Sequence, residues 1–258
     1  MSWPFRMVAL IPARAGSKRI PGKNTKLLAG HPLIAYTIAA AKASGVFDRI
    51  DVCTDDEATG TYAKAIGAGI QWRETVSDNQ ADIEWVRAAL QMRDRREAFA
   101  ILRPTSPFRT AETIRRAFAQ FTLPDQTADS IRAVEPVKQH PGKMWAFEMG
   151  RITPLLDYKR SDGVPWHSCP TQSLPTFYVQ NSSLEMAWTA NVETHGTIHG
   201  RKVAPFFCQG DEGFSLDYPE QWEQAERLMA DASVPRPHML PEPGQHISDT
   251  PRQPQSTE

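Results

Sequence analysis

Short apolar runs alternate along the chain with helix-length stretches whose apolar positions return every three or four residues. Met7 to Ile11 is the first run, closed by Pro12, and reads as a buried strand. Ala13 to Lys26 is polar and rich in glycine and basic residues, a loop by composition. From His31-Pro32 a helical pattern runs through Leu33, Ile34 and Ile38, with Pro32 suited to the first helical position and Gly45 to a C-cap. Ile50 to Cys53 predicts a second strand and Glu57 to Gly67 another helix. Asp82 to Arg96 predicts an amphipathic helix with Ile83, Val86, Leu90 and Met92 roughly on one side. Phe99 to Leu102 predicts the next strand, and Thr110 is placed to cap a helix that carries Ile114, Phe118 and Phe121. Ser130 to Val134 predicts a further strand. From about 135 to 191 the rhythm breaks into prolines, aromatics and short β-like pieces, which reads as an excursion. Val203 to Phe207 then restores a strand, and Pro219 to Asp231 a helix with proline at its start. Strand and helix in regular succession predict an α/β fold, with a mostly parallel central sheet flanked by helices.

Composition bounds what such a fold can serve. A chain of 258 residues gives one to two domains at roughly 150 residues each. Of its 21 prolines, six fall between Ser233 and Glu258, where large apolar groups are few. The expected division is therefore a folded domain over 1–232 and a disordered Pro-rich tail over 233–258. Twenty-nine basic and 30 acidic residues leave a net charge of −1, which argues against a general nucleic-acid or anionic-membrane binder. No apolar run approaches the ~20 residues needed to span a bilayer, and the first residues lack the layout of a secretory signal. Cys53, Cys169 and Cys208 are odd in number and far apart, with no C-x-x-C, so neither a disulfide framework nor a zinc site is suggested. The cytoplasm is the expected location.

The candidate chemistry begins after the first strand. Ligands of open α/β sheets sit at the carboxyl ends of the strands. Here that loop gathers Arg14, Lys18, Arg19 and Lys23 within ten residues, with glycines that let backbone N–H groups approach a ligand. Lysine point charges, an arginine fork and amide donors together hold a polyphosphate; the bland alternative is a solvated basic loop. It is not a Walker A loop: counted from Gly16, the second glycine would fall at Pro21, and Asn24 lacks the hydroxyl that binds magnesium. The G-x-G-x-x-G dinucleotide fingerprint is also absent. Asp55 and Asp56 invite a metal reading, but their place at the end of a strand favours helix capping.

The segment from Ile11 to Asn24 (Ile-Pro-Ala-Arg-x-Gly-Ser-Lys-x-x-Pro-Gly-Lys-Asn) resembles the signature of the acylneuraminate cytidylyltransferase, or CMP-sialic acid synthetase, family. Further segments resemble that family in the same order: Thr54-Asp55-Asp56-Glu57, Arg103-Pro104-Thr105-Ser106-Pro107 through Thr110, His140-Pro141-x-Lys143, Gln172-x-Leu174-Pro175 with Gln180-Asn181, and Leu216-Asp217-Tyr218-Pro219-Glu220. Asn24, where related 3-deoxy-manno-octulosonate enzymes usually carry proline, favours the acylneuraminate branch. The resemblance implies a Rossmann-like nucleotidyltransferase that moves CMP from CTP to the anomeric hydroxyl of an acidic nine-carbon sugar and releases pyrophosphate. It implies Mg²⁺ as cofactor and a homodimer in which the excursion reaches the partner. Arg14, Lys18 and Lys23 would hold the triphosphate, Asn24 would contact the nucleotide, Arg73 would lie near the cytosine or ribose, and Asp217 would bind the metal. Arg14, Lys23 and Asp217 would be the catalytic set. Arg103, Lys143, Gln172, Asn181, Phe206 and Phe207 would serve the sugar, although strand alternation lets only one of the two phenylalanines do so.

Three positions depart from the family pattern. Ser215 stands where a second aspartate is usual, Arg103 replaces a glutamine, and Thr171 replaces an arginine. A cation gained at 103 and one lost at 171 could offset each other at the sugar carboxylate. The same departures support an alternative, a catalytically impaired paralogue that binds a nucleotide or nucleotide sugar. A related nucleotidyltransferase with another nucleotide or sugar is a third reading.

Overall fold

The computed structural model describes residues 5–73, 81–91, 96–123 and 127–240. In chain order the elements are β1 (Met7–Pro12), the two-residue strands β2 (Leu27–Leu28) and β3 (His31–Pro32), α1 (Leu33–Ser44), β4 (Arg49–Thr54), α2 (Glu57–Ala65), β5 (Gly69–Trp72), α3 (Asp82–Leu90), β6 (Ala98–Ile101), α4 (Ala111–Phe121), β7 (Ser130–Pro136), β8 (Trp145–Glu148), β9 (Arg151–Pro154), β10 (Tyr178–Trp188), β11 (Val203–Phe207) and α5 (Pro219–Ala230). Seven of the strands form one sheet in the order β11-β7-β10-β6-β1-β4-β5. Every neighbouring pair is parallel except those of β10, which runs antiparallel to both β6 and β7.

The apolar runs are strands because both faces of the sheet are covered. Met7, Ala9 and Ile11 point to one side, where Ile34 and Ile38 of α1 and Ile114, Phe118 and Phe121 of α4 bury them. Val8 and Leu10 point to the other, onto Trp85, Val86 and Ala89 of α3. A strand buried on both faces reads as a continuous apolar run rather than an alternating one. A third cluster joins Ile20, Leu33, Phe108 and Leu216 to Trp222, Ala225 and Met229, and seats α5 beside the loop after β1.

Caps close most of the helices as expected. Gly45 ends α1 in the left-handed conformation, and Thr110 and Thr113 form a capping box at the start of α4. Pro32 stands one residue earlier than predicted, at the N-cap of α1. Helix α3 ends at Leu90, well before Arg96; Met92 lies outside the described residues. Two strands differ more. β5 is a short edge strand whose Gly69 and Gln71 give no apolar run to detect. β10 lies inside the stretch expected to leave the fold, so the true excursion is the segment between β7 and β10, with the β8–β9 hairpin as its one sheet. The first part of the expected tail lies against the body: Val234 and Met239 pack on the α5 cluster and Leu240 on the main core. Residues 241–258 lie outside the described residues. Among the described residues no helix is long and apolar enough to cross a membrane.

Candidate active site

The carboxyl ends of β1, β4 and β6 open onto one edge of the sheet. Because β10 is antiparallel, with Glu185 opposite Ile101, its beginning lies on that same edge. A cavity of about 300 Å³ occurs there, lined by Pro12, Arg14, Ser17, Lys23, Asn24, Arg73, Asp82, Trp85, Arg103, Pro104, Thr105, Ser182 and Asp217. A second lobe, of about 340 Å³, shares Arg14, Ser17, Lys23 and Asp217 and adds Lys18, Arg19 and Ile20. Thus Arg14, Lys18, Lys23, Asn24, Arg73, Arg103 and Asp217, scattered over 200 positions, line one two-lobed cleft.

The basic loop is held from below. Ala13 N–H donates to Cys53 O at 3.0 Å, and the Thr54 hydroxyl donates to Ala13 O at 2.6 Å. Asp55 accepts from Ala15 N–H at 2.6 Å, while Asp56 caps α2 by accepting from Thr59 N–H at 3.0 Å. Of the two aspartates expected to cap, Asp56 does so, whereas Asp55 instead holds the basic loop. Gly16 and Gly22 have φ of +73° and +62°, a backbone that side chains resist, so the loop's turns depend on glycine. Asn24 is buried and donates to Arg14 O at 3.1 Å, which ties the two ends of the loop together. The Arg19 guanidinium lies 4.4 Å from the ring centre of Tyr218, a cation–π contact that joins the loop to the start of α5.

Lys23 and Asp217 meet across the cleft. Lys23 Nζ lies 3.5 Å from Asp217 Oδ1 and donates to Leu216 O at 3.2 Å. Burial holds the Lys23 ammonium below the usual lysine range, against the opposing pull of the Asp217 carboxylate. Asp217 does not cap α5: Tyr218 takes the N-cap position and Pro219 the first helical one. Its carboxylate is instead turned to the cleft, where the Ser215 hydroxyl donates to Oδ2 at 2.5 Å and its oxygen lies 3.2 Å from the Ser182 hydroxyl, from which it can accept. Ser215 is thus a hydrogen-bonding brace on the one carboxylate at this point. No group of three or more histidine, cysteine or acidic side chains able to hold a metal occurs among the described residues. The donor set still fits a hard divalent cation. One carboxylate with substrate phosphates and water is a common way to bind Mg²⁺.

The other lobe holds a charged pair. Arg103 Nη2 lies 2.5 Å from Asp82 Oδ2 and 3.7 Å from Glu185 Oε1. Asp82 also accepts from the Trp85 indole at 2.8 Å, and the Arg73 guanidinium sits 5.3 Å from the Trp85 ring centre. Burial works to raise the Asp82 carboxyl, and Arg103 with the Trp85 indole outweighs it, holding the group below the usual carboxylate range. Arg103 is in the cleft as expected, but its guanidinium is already engaged. Asp82 and Trp85 escaped sequence reading because they also begin an amphipathic helix. Ser182 escaped because its strand was not recognised.

The remaining sugar candidates are not on the cleft wall. Lys143 donates to the carbonyls of His167, at 2.9 Å, and of Cys169, so it staples the excursion to itself. His140 is buried between the Gly142 amide and the Pro175 carbonyl, at 3.0 and 2.9 Å, and does the same. Gln172 lies in an exposed 3₁₀ turn. Asn181 donates to Glu135 at 3.2 Å and accepts from Ser183 N–H at 3.1 Å at the start of β10. Phe206 is buried in the core, while Phe207 is half-exposed against Tyr178, so the strand divides the pair as alternation requires.

Comparison with known proteins matches this arrangement. A family profile described as "Cytidylyltransferase" matches residues 8–141. The CMP-N,N'-diacetyllegionaminic acid synthase of Legionella pneumophila is 32% identical over 233 residues, covering 87% of this chain and 97% of that protein. An N-acylneuraminate cytidylyltransferase of Escherichia coli is 41% identical over 157 residues, which cover 59% of this chain but only 35% of that protein. Among solved structures, a CMP:2-keto-3-deoxy-manno-octonic acid synthetase complexed with CTP aligns with a TM-score of 0.60 at 14% identity, covering 87% of this chain and 98% of that one. The 4-diphosphocytidyl-2C-methyl-D-erythritol synthase of Anaerococcus prevotii aligns with a TM-score of 0.59 at 11% identity, over 88% of this chain and 99% of that one; these two likenesses concern the fold. With a profile match that takes in the basic loop and just over half of the chain, and a relative 32% identical over nearly its whole length, the chain belongs to the cytidylyltransferase family.

Proposed function

We propose that this protein transfers CMP from CTP to the anomeric hydroxyl of a nonulosonic, sialic-acid-like sugar and releases pyrophosphate. The observation that carries the reading is the single cleft that joins Arg14, Lys23, Asn24, Arg73, Arg103 and Asp217 at the carboxyl ends of the sheet. The activities named for the Legionella and E. coli relatives support it.

The division of labour follows from the two lobes. Arg14, Lys18 and Lys23 neutralise the triphosphate in the basic lobe, and Arg19 extends that surface. Asn24 fixes the loop against the nucleotide, and Arg73 with Trp85 borders the base and ribose. Arg103 faces the acceptor and supplies a guanidinium for its carboxylate once Asp82 gives way. Catalysis of this kind is positioning and charge stabilisation: the hydroxyl is aimed at the α-phosphorus while the negative charge of the leaving pyrophosphate is held by the basic loop. Asp217 and the phosphates would hold Mg²⁺, which when bound withdraws charge from the phosphate oxygens. Lys23, within reach of Asp217, keeps the carboxylate turned to the cleft.

We further read the protein as a cytoplasmic homodimer. The β8–β9 hairpin exposes Trp145, Phe147, Met149 and Ile152, a contiguous apolar surface of the kind that marks a partner site. Lys143 and Gln172 belong to this excursion, so a role at the sugar requires the partner's cleft.

The reading is tested by thermal shift with CTP, UTP, ATP and GTP, followed by the mass of the product formed from CTP and a panel of nonulosonic acids. The nucleotide that the protein uses raises its melting temperature through linkage. CTP alone should do so strongly, and a CMP-sugar should form. A preference for another nucleotide would replace the reading with a different nucleotidyltransferase. Tight CTP binding without product on any sugar would favour an impaired paralogue.

A further inference from the structure

Among the described residues Arg109 is the largest fully buried side chain, with 0% of its surface exposed. Among the described residues no acidic side chain pairs with it, and burial dominates its surroundings. A buried charge without a counter-ion is expensive and is seldom kept for stability alone. Its donors instead reach two backbone carbonyls next to the cleft and a hydroxyl on α1. Nη1 donates to the Ser183 carbonyl on β10, and both Nη1 and Nη2 donate to the Arg103 carbonyl, at 3.2 and 3.3 Å. Nη2 also donates to the Thr37 hydroxyl on α1 at 2.8 Å.

The two carbonyl contacts bear on residues of the site. One bound carbonyl belongs to Arg103, which lines the cleft, and the other to Ser183, next to the cleft-lining Ser182. The loop that Arg109 folds back on itself, with Ser106 N–H donating to Arg103 O at 3.3 Å and Arg109 N–H to Ser106 O at 3.4 Å, also carries Thr105. The Thr105 carbonyl accepts from Leu216 N–H at 2.8 Å, one residue before Asp217. The register shift of β10 falls between Gln180 and Glu185, the stretch where a ladder bond to β7 would otherwise hold Ser183.

We infer that Arg109 is a positioning residue: its buried guanidinium pins the Arg103 loop, the irregular start of β10 and helix α1 to one another, and so sets the acceptor side of the cleft and the seat of Asp217. This inference rests on the proposed transferase reading for its kinetic consequences, but the pinning itself is a statement about local order. Burial holds the guanidinium well below the usual arginine range, in keeping with a charge retained at a cost.

The test compares Arg109→Lys, Arg109→Met and Thr37→Val with the wild-type protein. Thr37 is buried and does not line the cleft, and its valine variant removes one of the guanidinium's acceptors, together with the hydroxyl's own 3.5 Å contact to the Arg103 carbonyl, with little change of volume. A displacement of the cleft wall by ~1 Å costs on the order of 100-fold in rate. Arg109→Met should therefore lower kcat ~100-fold, Arg109→Lys should recover part of that loss, and Thr37→Val should lower kcat ~3-fold. In all three the KM for CTP should stay within ~3-fold while that for the acceptor rises. Hydrogen exchange should quicken at 103–106 and 182–185 and stay unchanged in β1. If Arg109→Met fails to fold, the lysine and valine variants carry the test. Wild-type kcat and exchange in both would overturn the inference, as would a loss of melting temperature with no change in kcat. If the wild-type protein makes no product, the transferase reading fails, and the exchange pattern alone decides the role of Arg109.

Discussion

The Arg103–Asp82 pair offers a perturbation whose sign separates two roles. If Arg103 is the anchor for the acceptor's carboxylate, then Asp82 competes with the substrate for it. Asp82→Asn removes the competing charge and keeps an oxygen for the Trp85 indole. The two side chains are 28% and 42% exposed, so the pair is solvent-screened and worth about 0.2–1 kcal/mol. Released to the substrate, that energy lowers the acceptor KM by up to about fivefold, at tenfold per 1.4 kcal/mol. Glu185 at 3.7 Å still restrains Arg103 and keeps the gain from being larger. Folding stability should fall by the same margin, about 0.2–1 kcal/mol, a melting-temperature loss of at most about 4 °C for a domain of this size. The pH dependence has a definite sign. Because the folded value of Asp82 is lowered, its contribution is complete above the unfolded value of about 3.9 and is lost as pH falls through the folded value. Wild type and Asp82→Asn should therefore converge in stability at low pH. Steady-state kinetics at saturating CTP, varied in the acceptor, measures the effect. An acceptor KM that rises or stays unchanged in a folded Asp82→Asn protein would refute the anchor role of Arg103.

Three further outcomes follow from the same geometry. Lys23→Met should weaken CTP binding ~10–100-fold, the worth of a hydrogen bond to a charged group. Because burial lowers Lys23, its charge is lost as pH rises, so wild-type affinity measured by calorimetry should already decline on raising the pH toward the ordinary lysine value of about 10.4, and the variant should lack that decline. Phe147→Glu places a charge on the exposed face of the β8–β9 hairpin and should shift the protein from dimer to monomer in sedimentation, with its fold intact; an unchanged dimer would remove the hairpin from the interface. A chain ended at residue 232 should melt about 4–8 °C below one ended at 240, because Val234, Met239 and Leu240 contribute about 2 kcal/mol of apolar burial in the longer form. Equal melting temperatures would mean that these contacts stabilise nothing.

Much of the frame is legible in the sequence where one physical cause dominates. Strands buried on both faces, such as β1 and β6, give uninterrupted apolar runs, and Gly45 and Thr110 mark helix ends through conformations few residues share. β10 does not read as a strand because Gln180, Asn181, Ser182 and Ser183, of which Ser182 lines the cleft, break the apolar pattern of a central strand. In the site, the basic loop announces itself because four cations and two turn glycines are local. Arg103 was placed in the cleft by its motif, but its engagement by Asp82 is a contact across 21 positions that no local pattern records. Lys143 and His140 show the reverse: a motif that suggests ligand contact also satisfies the buried carbonyls of its own loop. Arg109 stands in the same motif as Arg103, and only burial distinguishes the guanidinium that faces the cleft from the one that holds its wall.

The central claim is tested most directly by acceptor-dependent pyrophosphate release from CTP and Mg²⁺, with Asp217→Asn measured beside the wild-type protein. Asp217 holds the one cleft carboxylate facing Lys23. The wild-type protein should release pyrophosphate only when a nonulosonic acid is present, and Asp217→Asn should lower kcat by ~100–1000-fold while remaining folded. Release that ignores the acceptor, or that survives Asp217→Asn undiminished, would contradict the account.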